Sequence, residues 1–303
     1  MTSRHDGSVY GPRGVGNAPV MSDDGRGRRA PERWSRRLGA LTLSYLPDAR
    51  VELAPTGFLP DSTEEDWASR PDLRTDDGYL VAGAGSLVAE RDGHRLVLDA
   101  GFGPVTRTRA QTPPPLGAVA AGELPGSFAA AGIDPAAVDL VAFTHLHSDH
   151  VGWATPWAVE DGRSLFPHAA WAVGAGESEG GHVTAELRPA GAADRTRVVA
   201  DGDEVRPGMR AWSLPGHTSG HTAYVLDTGD GRRVIAFGDA MHSPAQVEQP
   251  GWTVALDADH DRAQHSRRAL LAALDDPDVL GLGIHFADRQ LGRVVDGRWR
   301  SPV

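Results

Sequence analysis

No cysteine occurs among the 303 residues, so disulfides and thiolate metal ligands are both excluded. Lysine is missing as well: all 30 basic residues are arginine, and Schiff-base chemistry on a lysine is therefore ruled out. Positive charge is in short supply, with 41 acidic residues against those 30 and a formal net charge of -11. Such a balance disfavours a nucleic-acid backbone or an anionic membrane as partner, because both reward basic patches, and it favours a small-molecule substrate. No apolar run approaches the roughly 18 residues needed to span a bilayer. The twin arginine Arg36-Arg37 precedes a short apolar stretch that runs into Pro47-Asp48 without a small-residue cleavage site, so it reads as a first strand rather than an export signal. With the missing cysteines, this agrees with a cytoplasmic location. The glycine-rich stretch 174–181 lacks the spacing and the basic residue of a phosphate loop and reads as a turn or mobile loop.

A hydrophobic fraction of 40% is enough for a sizeable core. Residues 1–37, rich in Gly, Arg, Pro and Asp, read as a disordered tail, and 38–303 as the folded domain. From Leu38 onward apolar residues alternate (Leu41, Leu43, Tyr45, then Val51 and Leu53), which predicts antiparallel strands. The acidic stretch 55–77 predicts a loop or short helix that covers a sheet edge, with a lid or dimer contact as the alternative. Strands are expected at 79–90, 95–99, 140–143, 169–173, 197–200, 209–214, 223–226, 234–237 and 279–284, and helices near 126–132 and 261–274, the latter with Asp259 or Asp261 at its start. Strand-rich and helical stretches alternate loosely, suggesting two halves, each a sheet covered by helices on its outer face.

The chemistry concentrates in Thr144-His145-Leu146-His147-Ser148-Asp149-His150, directly after the apolar run Leu140–Phe143. A strand that ends in a tight turn of histidines and a carboxylate can aim several ligands at one point, and zinc accepts imidazole nitrogen and carboxylate oxygen at about 2.0–2.2 Å. Three further candidates follow apolar strands in the second half: His217 in Leu214-Pro215-Gly216-His217, Asp239 in Phe237-Gly238-Asp239 and His285 in Gly283-Ile284-His285. Asp99, at the end of Leu96-Val97-Leu98, can hydrogen-bond a metal-ligating imidazole or cap its turn.

In this order Asp99, the 145–150 cluster, His217, Asp239 and His285 resemble the five short motifs of the metallo-beta-lactamase superfamily, over most of the chain from about Leu38. The resemblance implies an α+β fold, a four-layer αββα sandwich with its metal site on one edge where the sheets meet. It further implies that His145, His147 and His217 hold one Zn2+, that Asp149, His150 and His285 hold a second, and that Asp239 bridges them. The implied activity is hydrolysis of a small ester-like molecule (lactone, carboxylic ester, thioester or phosphotriester) by a metal-bridging hydroxide. The alternative is the iron-dependent oxidoreductase branch, which uses only the first ligand set. The run Gly238–Val247, with Val254–Asp259 and the ending His285-Phe286, looks like the branch of methyl parathion hydrolase, a neighbour of the acyl-homoserine lactonases. Many of those lactonases carry a tyrosine three residues after the bridging aspartate, where this chain has His242. That branch is often dimeric, which leaves a homodimer open.

The catalytic candidates are Asp149 and His242. The latter is expected to orient substrate, to donate a proton to the leaving group, or only to hydrogen-bond its loop. His221 is expected to be a buried structural histidine beside the site. Trp153 and Trp157 are expected to line an apolar pocket, and His94, His168, His182, His260 and His265 to lie on the surface.

Overall fold

The computed structural model describes residues 27–154, 164–179 and 195–301. Two sheets stack face to face. In the nine-stranded first sheet the spatial order is 106–107, 116–121, 41–53, 80–91, 94–98, 140–142, 170–174 and 196–199, with Trp34–Leu38 paired to the first part of Leu41–Leu53, opposite 80–91, on the edge whose second part pairs with 116–121. The second sheet has seven strands in chain order, from Glu204–Arg206 to Arg298–Arg300.

Parallel neighbours need a crossover, and helices supply it. Strands Arg233–Ala236 and Val279–Leu282 are parallel and are joined through the helix His260–Leu274. That helix begins where the Asp259 side chain accepts the backbone N–H of Arg262 at 3.0 Å, and it turns Ala263, Arg267, Leu270 and Leu274 inward at helical spacing. Leu270 and Leu274 pack with Phe237 and Trp299 on the outer face of the second sheet. On the outer face of the first sheet, Leu124 and Phe128 of helix Leu124–Ala131 pack with Val97, Val141 and Trp171. Between the sheets lie Leu43, Leu87, Leu98, Tyr224, Val234 and Leu282. This is the expected αββα sandwich, and burial of each such side chain contributes about 1.5–3 kcal/mol before conformational entropy is charged against it. No described helix is long and apolar enough to cross a membrane.

Three boundaries differ from the sequence reading. The first strand begins at Trp34, so the fold starts ahead of residue 38; residues 1–26, the rest of the expected tail, lie outside the described residues. The two strands expected around 41–45 and 51–53 are one continuous strand, Leu41–Leu53. Pro47, which has no N–H to give, is absorbed by a register shift between Pro47 and Ala49 instead of ending the strand. Of the stretch 174–181, residues Ala175–Glu179 form a short helix.

The bulge turns Asp48 into the interior, where its carboxylate accepts the N–H groups of Phe102 (2.6 Å), Gly103 (3.1 Å) and Leu124 (2.9 Å) and the indole N–H of Trp153 (2.8 Å). The stretch 55–77 forms the short helices Pro55–Phe58, Glu64–Ala68 and Pro71–Leu73, whose Phe58, Leu59, Trp67 and Leu73 pack with Val51, Leu53, Leu80 and Ala82 of the first sheet. Trp67 is fully buried there and lies 5.3 Å from Trp252, and Phe58 reaches the cavity described next.

Candidate metal centre

Each ligand-bearing segment leaves its strand at the same edge of the sandwich. Asp99, in the left-handed region at φ 58, accepts the Thr144 N–H at 2.8 Å, which ties the end of one strand to the start of the histidine turn. Its second oxygen takes the His150 Nδ1–H at 2.9 Å. Of the roles anticipated for Asp99, the hydrogen bond to an imidazole of the cluster is made, while the backbone N–H its side chain accepts is that of Thr144 and not one of its own turn. Helix Ser148–Val151 then carries Asp149 and His150, with His147 at its N-cap. At Gly238, where φ is 47, a Cβ would lie 2.8 Å from both His221 Nε2 and the Thr144 side chain, so this glycine is what lets the Asp239 turn sit against the histidine turn.

Ligand atoms of a tetrahedral zinc at 2.0–2.1 Å lie about 3.3 Å apart. His217 Nε2 is 3.0 Å from His147 Nδ1 and 3.2 Å from Asp239 Oδ2, and His145 Nε2 is 3.6 Å from that same oxygen. Around the other carboxylate oxygen, His150 Nε2 is 3.1 Å and His285 Nε2 2.8 Å from Asp239 Oδ1. Asp149 Oδ2 completes that set at 3.6 Å from His150 and 3.8 Å from His285. All seven expected ligands are brought together, and Asp239 faces one set with each oxygen.

The outward nitrogens fix the tautomers. His217 Nδ1–H donates to Asp257 Oδ1 at 2.9 Å and His285 Nδ1–H to the Gly83 carbonyl at 2.6 Å, as His150 does to Asp99. Each Nε2 is then the atom turned inward, and it offers a lone pair to a cation once its proton has left. Among the described residues, His145 Nε2 and His150 Nε2 are buried without a hydrogen bond of good geometry, the 3.1 Å approach of His150 to Asp239 included. Buried polar atoms are rarely left so, and a divalent cation is the group that fits this donor set.

Charge in the metal-free cluster is balanced by protons. Burial works against an ionised Asp239, but His285 and His150 outweigh it and hold the carboxyl well below the usual range. Burial, followed by the neighbouring His150, pushes His145 well down. For His217 burial acts downward too, yet the Asp239 and Asp257 carboxylates raise it to about 9.

His221 is structural, as expected. Its Nδ1–H donates to the Leu214 carbonyl and its Nε2 accepts the Asp239 N–H, both at 3.0 Å, and burial brings its pKa down to about 3. His242, not among the seven expected ligands, also lies within ligand distance of Asp239 and His285. Its Nε2 lies 3.0 Å from Asp239 Oδ2 and its ring stacks on His285 at 5.1 Å and 5°, while its buried Nδ1 has no partner among the described residues. Burial lowers its pKa to about 4, so the imidazole is neutral and donates Nε2–H to the Asp239 carboxylate. Asp149 is the ligand whose carboxylate is most open, at 23% exposure, and it faces the cavity.

That cavity has a volume of about 610 Å³ and reaches from His147, Asp149, Asp239 and His285 to an apolar wall of Val51, Leu53, Phe58, Phe102 and Leu116. Trp153 does not line it. Held by Asp48, it is buried in the core of the first sheet's outer face, which corrects the pocket role expected for it. Trp157 and His182 lie outside the described residues, and His94, His168, His260 and His265 are exposed as expected.

Two residues of the site escaped the sequence reading. Asp257 backs His217, and Arg267, fully buried, donates to the carbonyls of Ala240 (2.9 Å), Pro250 (3.1 Å) and Trp252 (2.5 Å) with Nη2 3.6 Å from Asp257 Oδ2. For Arg267 a signal existed: a charged residue occupies an inward position in the stripe 263, 267, 270, 274.

The sequence profile described as the Metallo-beta-lactamase superfamily matches residues 81–283. A human protein, Metallo-beta-lactamase domain-containing protein 1, is 28% identical over 153 residues, which is 50% of this chain and 49% of that one. The chain thus matches about half the length of this curated relative. Among solved structures, the hydrolase AbOPH of the beta lactamase superfamily aligns with a TM-score of 0.74 at 20% identity, over 91% of this chain and 98% of its own. The dizinc quorum-quenching lactonase AidC aligns at 0.73 and 19% identity over 91% and 99%. A probable metal-dependent hydrolase from Staphylococcus aureus aligns at 0.73 and 17% over 88% and 100%. At such identities these likenesses speak for the fold alone.

Proposed function

The chain belongs to the metallo-beta-lactamase superfamily, and from that premise we propose that it is a dinuclear zinc hydrolase of small ester-like substrates: lactones, carboxylic esters, thioesters or phosphotriesters. The observation that carries this reading is the pair of ligand sets converging on the two oxygens of one carboxylate, Asp239. Bound divalent cations would supply a lowered pKa for coordinated water and a pull on the substrate's carbonyl or phosphoryl oxygen, worth several kcal/mol.

The chain's own groups do the rest. Asp239 holds the two sets at a fixed separation, and the His242 N–H fixes the orientation of that carboxylate. Asp149 presents the open carboxylate at the cavity floor, the group placed to orient water and take its proton. Neutral at physiological pH, His242 serves here as an orienting donor and not as the acid that protonates the leaving group. The apolar wall receives the non-reacting part of the substrate and excludes bulk water. An iron-dependent oxidoreductase would need only the first set. Here the second set is complete and has its own supports in Asp99 and Gly83, which favours the hydrolase. A small-molecule substrate and a cytoplasmic location go with this reading.

The test is metal analysis followed by a panel of lactones, aryl esters and phosphotriesters, run with zinc-loaded protein beside Asp239→Ala. Zinc-dependent turnover that Asp239→Ala loses is the expected result. Undiminished turnover by metal-stripped protein would overturn the reading.

A further inference from the structure

Although the chain carries 30 arginines, none lines the described part of the cavity. Opposite the apolar wall, the lining passes through Thr218 and Ser219, which follow the ligand His217, to Glu177 of the helix Ala175–Glu179. Glu177 is 4% exposed, and the partner of its carboxylate is the Thr218 hydroxyl, which donates to Oε1; no described cation pairs with it. An ionised carboxylate has about four acceptor positions, and burying one beside a single neutral donor is costly unless a further partner arrives.

The placement is built into the backbone. A Cβ on Gly176 would lie 2.4 Å from the Ser219 carbonyl oxygen, and one on Gly220 would lie 2.1 Å from the Glu177 nitrogen. Only glycine at both positions lets the helix and the ligand-bearing loop touch main chain to main chain. Ser219 Oγ–H also donates to the Gly176 carbonyl at 2.9 Å. Glu177 is thereby held at the cavity one residue beyond a metal ligand's neighbour, and the apolar side chains of Val51, Leu53 and Leu116 form the other wall.

We propose that Glu177 is a specificity-determining residue that selects substrates bearing a protonated amine, with the apolar part of the molecule laid against the opposite wall. This rests on the hydrolase reading and names the substrate class of that same site. A carboxylate-bearing substrate would meet Glu177 with no described arginine to compensate, and a neutral one would leave the carboxylate with the Thr218 hydroxyl as its one described partner.

The experiment compares two nearly isosteric esters of the same medium-chain acid, the dimethylaminoethyl ester, cationic at neutral pH, and the isopentyl ester, with zinc-loaded wild type and Glu177→Gln. The corresponding non-hydrolysable ethers are titrated by calorimetry. A charge-assisted hydrogen bond predicts a wild-type preference for the cation of about tenfold or more, carried mainly by KM and repeated in the ether affinities. Glu177→Gln, which keeps size and an acceptor for Thr218, should bring that ratio close to one. A wild-type ratio near one overturns the proposal, as does a ratio that Glu177→Gln leaves intact while lowering both substrates together. The ethers separate the two readings: if neither ester is hydrolysed but the cationic ether still binds in a Glu177-dependent way, the hydrolase reading fails and the recognition stands.

Discussion

On the side of the first sheet, His150 leans on Asp99, whose oxygens are otherwise taken by the N–H and hydroxyl of Thr144 at 2.8 to 3.2 Å. On the side of the second sheet, His217 leans on Asp257, whose other oxygen accepts the Val254 N–H at 3.2 Å and faces the buried Arg267 guanidinium at 3.6 Å. Both braces are carboxylates behind an imidazole, a device that fixes the ring and raises its basicity. They differ in what neutralises them. Apart from His150, Asp99 is met only by the neutral donors of Thr144, whereas Asp257 also faces a guanidinium. That cation also grips the Ala240 carbonyl, next to Asp239, the proposed bridge. Damage to the first brace should stay local, and damage to the second should spread to the bridge.

The largest effect is expected where the two halves meet. Asp239→Ala removes an anionic ligand from both sets at once and should lower turnover by roughly a thousandfold or more, the equivalent of several kcal/mol. Metal content measured per chain should fall at both sets together. Loss at one set alone would break the symmetry assigned to the bridge.

Next comes Arg267→Met. It leaves the Asp257 charge and three backbone carbonyls without their donor in the interior, a loss on the order of 3–5 kcal/mol for a broken buried pair. Thermal unfolding of the metal-free protein should show it, together with weaker zinc retention at the His217 set. A variant as stable as the parent would mean that Arg267 is filler and that the second brace is no more extended than the first.

Smaller and more selective are Asp99→Asn and Asp257→Asn. Each should weaken metal affinity by about 10–100-fold, the usual cost of an outer-sphere partner. In a two-step chelator titration the first should move the step belonging to Asp149, His150 and His285, and the second the step belonging to His145, His147 and His217. Equal loss in both steps from either variant would dissolve the distinction between the halves.

The same contrast explains what could be read from the sequence. The cluster 145–150 was legible because its ligands are local, and His217, Asp239 and His285 because each ends an apolar strand. Asp257 was not, because its role is a contact across 40 residues that no spacing encodes; Arg267 showed only as a charge in an inward helical stripe, which does not tell that it reaches the Ala240 carbonyl 27 residues back. Trp153 was misplaced because an aromatic next to a metal motif suits a pocket wall and a core equally well; what decides is Asp48, far back in the chain at a bulge that the proline disguised as a strand end. The apolar wall could not be assigned either. Strand 41–53 is buried along almost its whole length, so alternation does not tell which of its residues face the cavity.

The gentlest probe of the comparison is pH. Burial pulls His217 down, but Asp239 and Asp257 raise it to about 9, so in the metal-free protein this imidazole carries a proton at neutral pH. His145 and His147, pushed down chiefly by burial, carry none. Zinc entering the first set must therefore expel the His217 proton, and affinity there should climb by about tenfold per pH unit up to about pH 9 and then level off. Linkage gives the metal-free fold the opposite trend. A histidine whose folded-state pKa lies above its unfolded value of 6.5 contributes stability that is complete below 6.5 and disappears as pH rises through about 9. Across that window the zinc-loaded protein should gain on the metal-free one, and calorimetry in buffers of different ionisation enthalpy should detect the released proton. Asp257→Asn removes one of the two carboxylates that raise His217, so the plateau should move to lower pH. A plateau that stays in place would show that Asp239 alone sets the basicity of His217 and that the second brace acts through geometry.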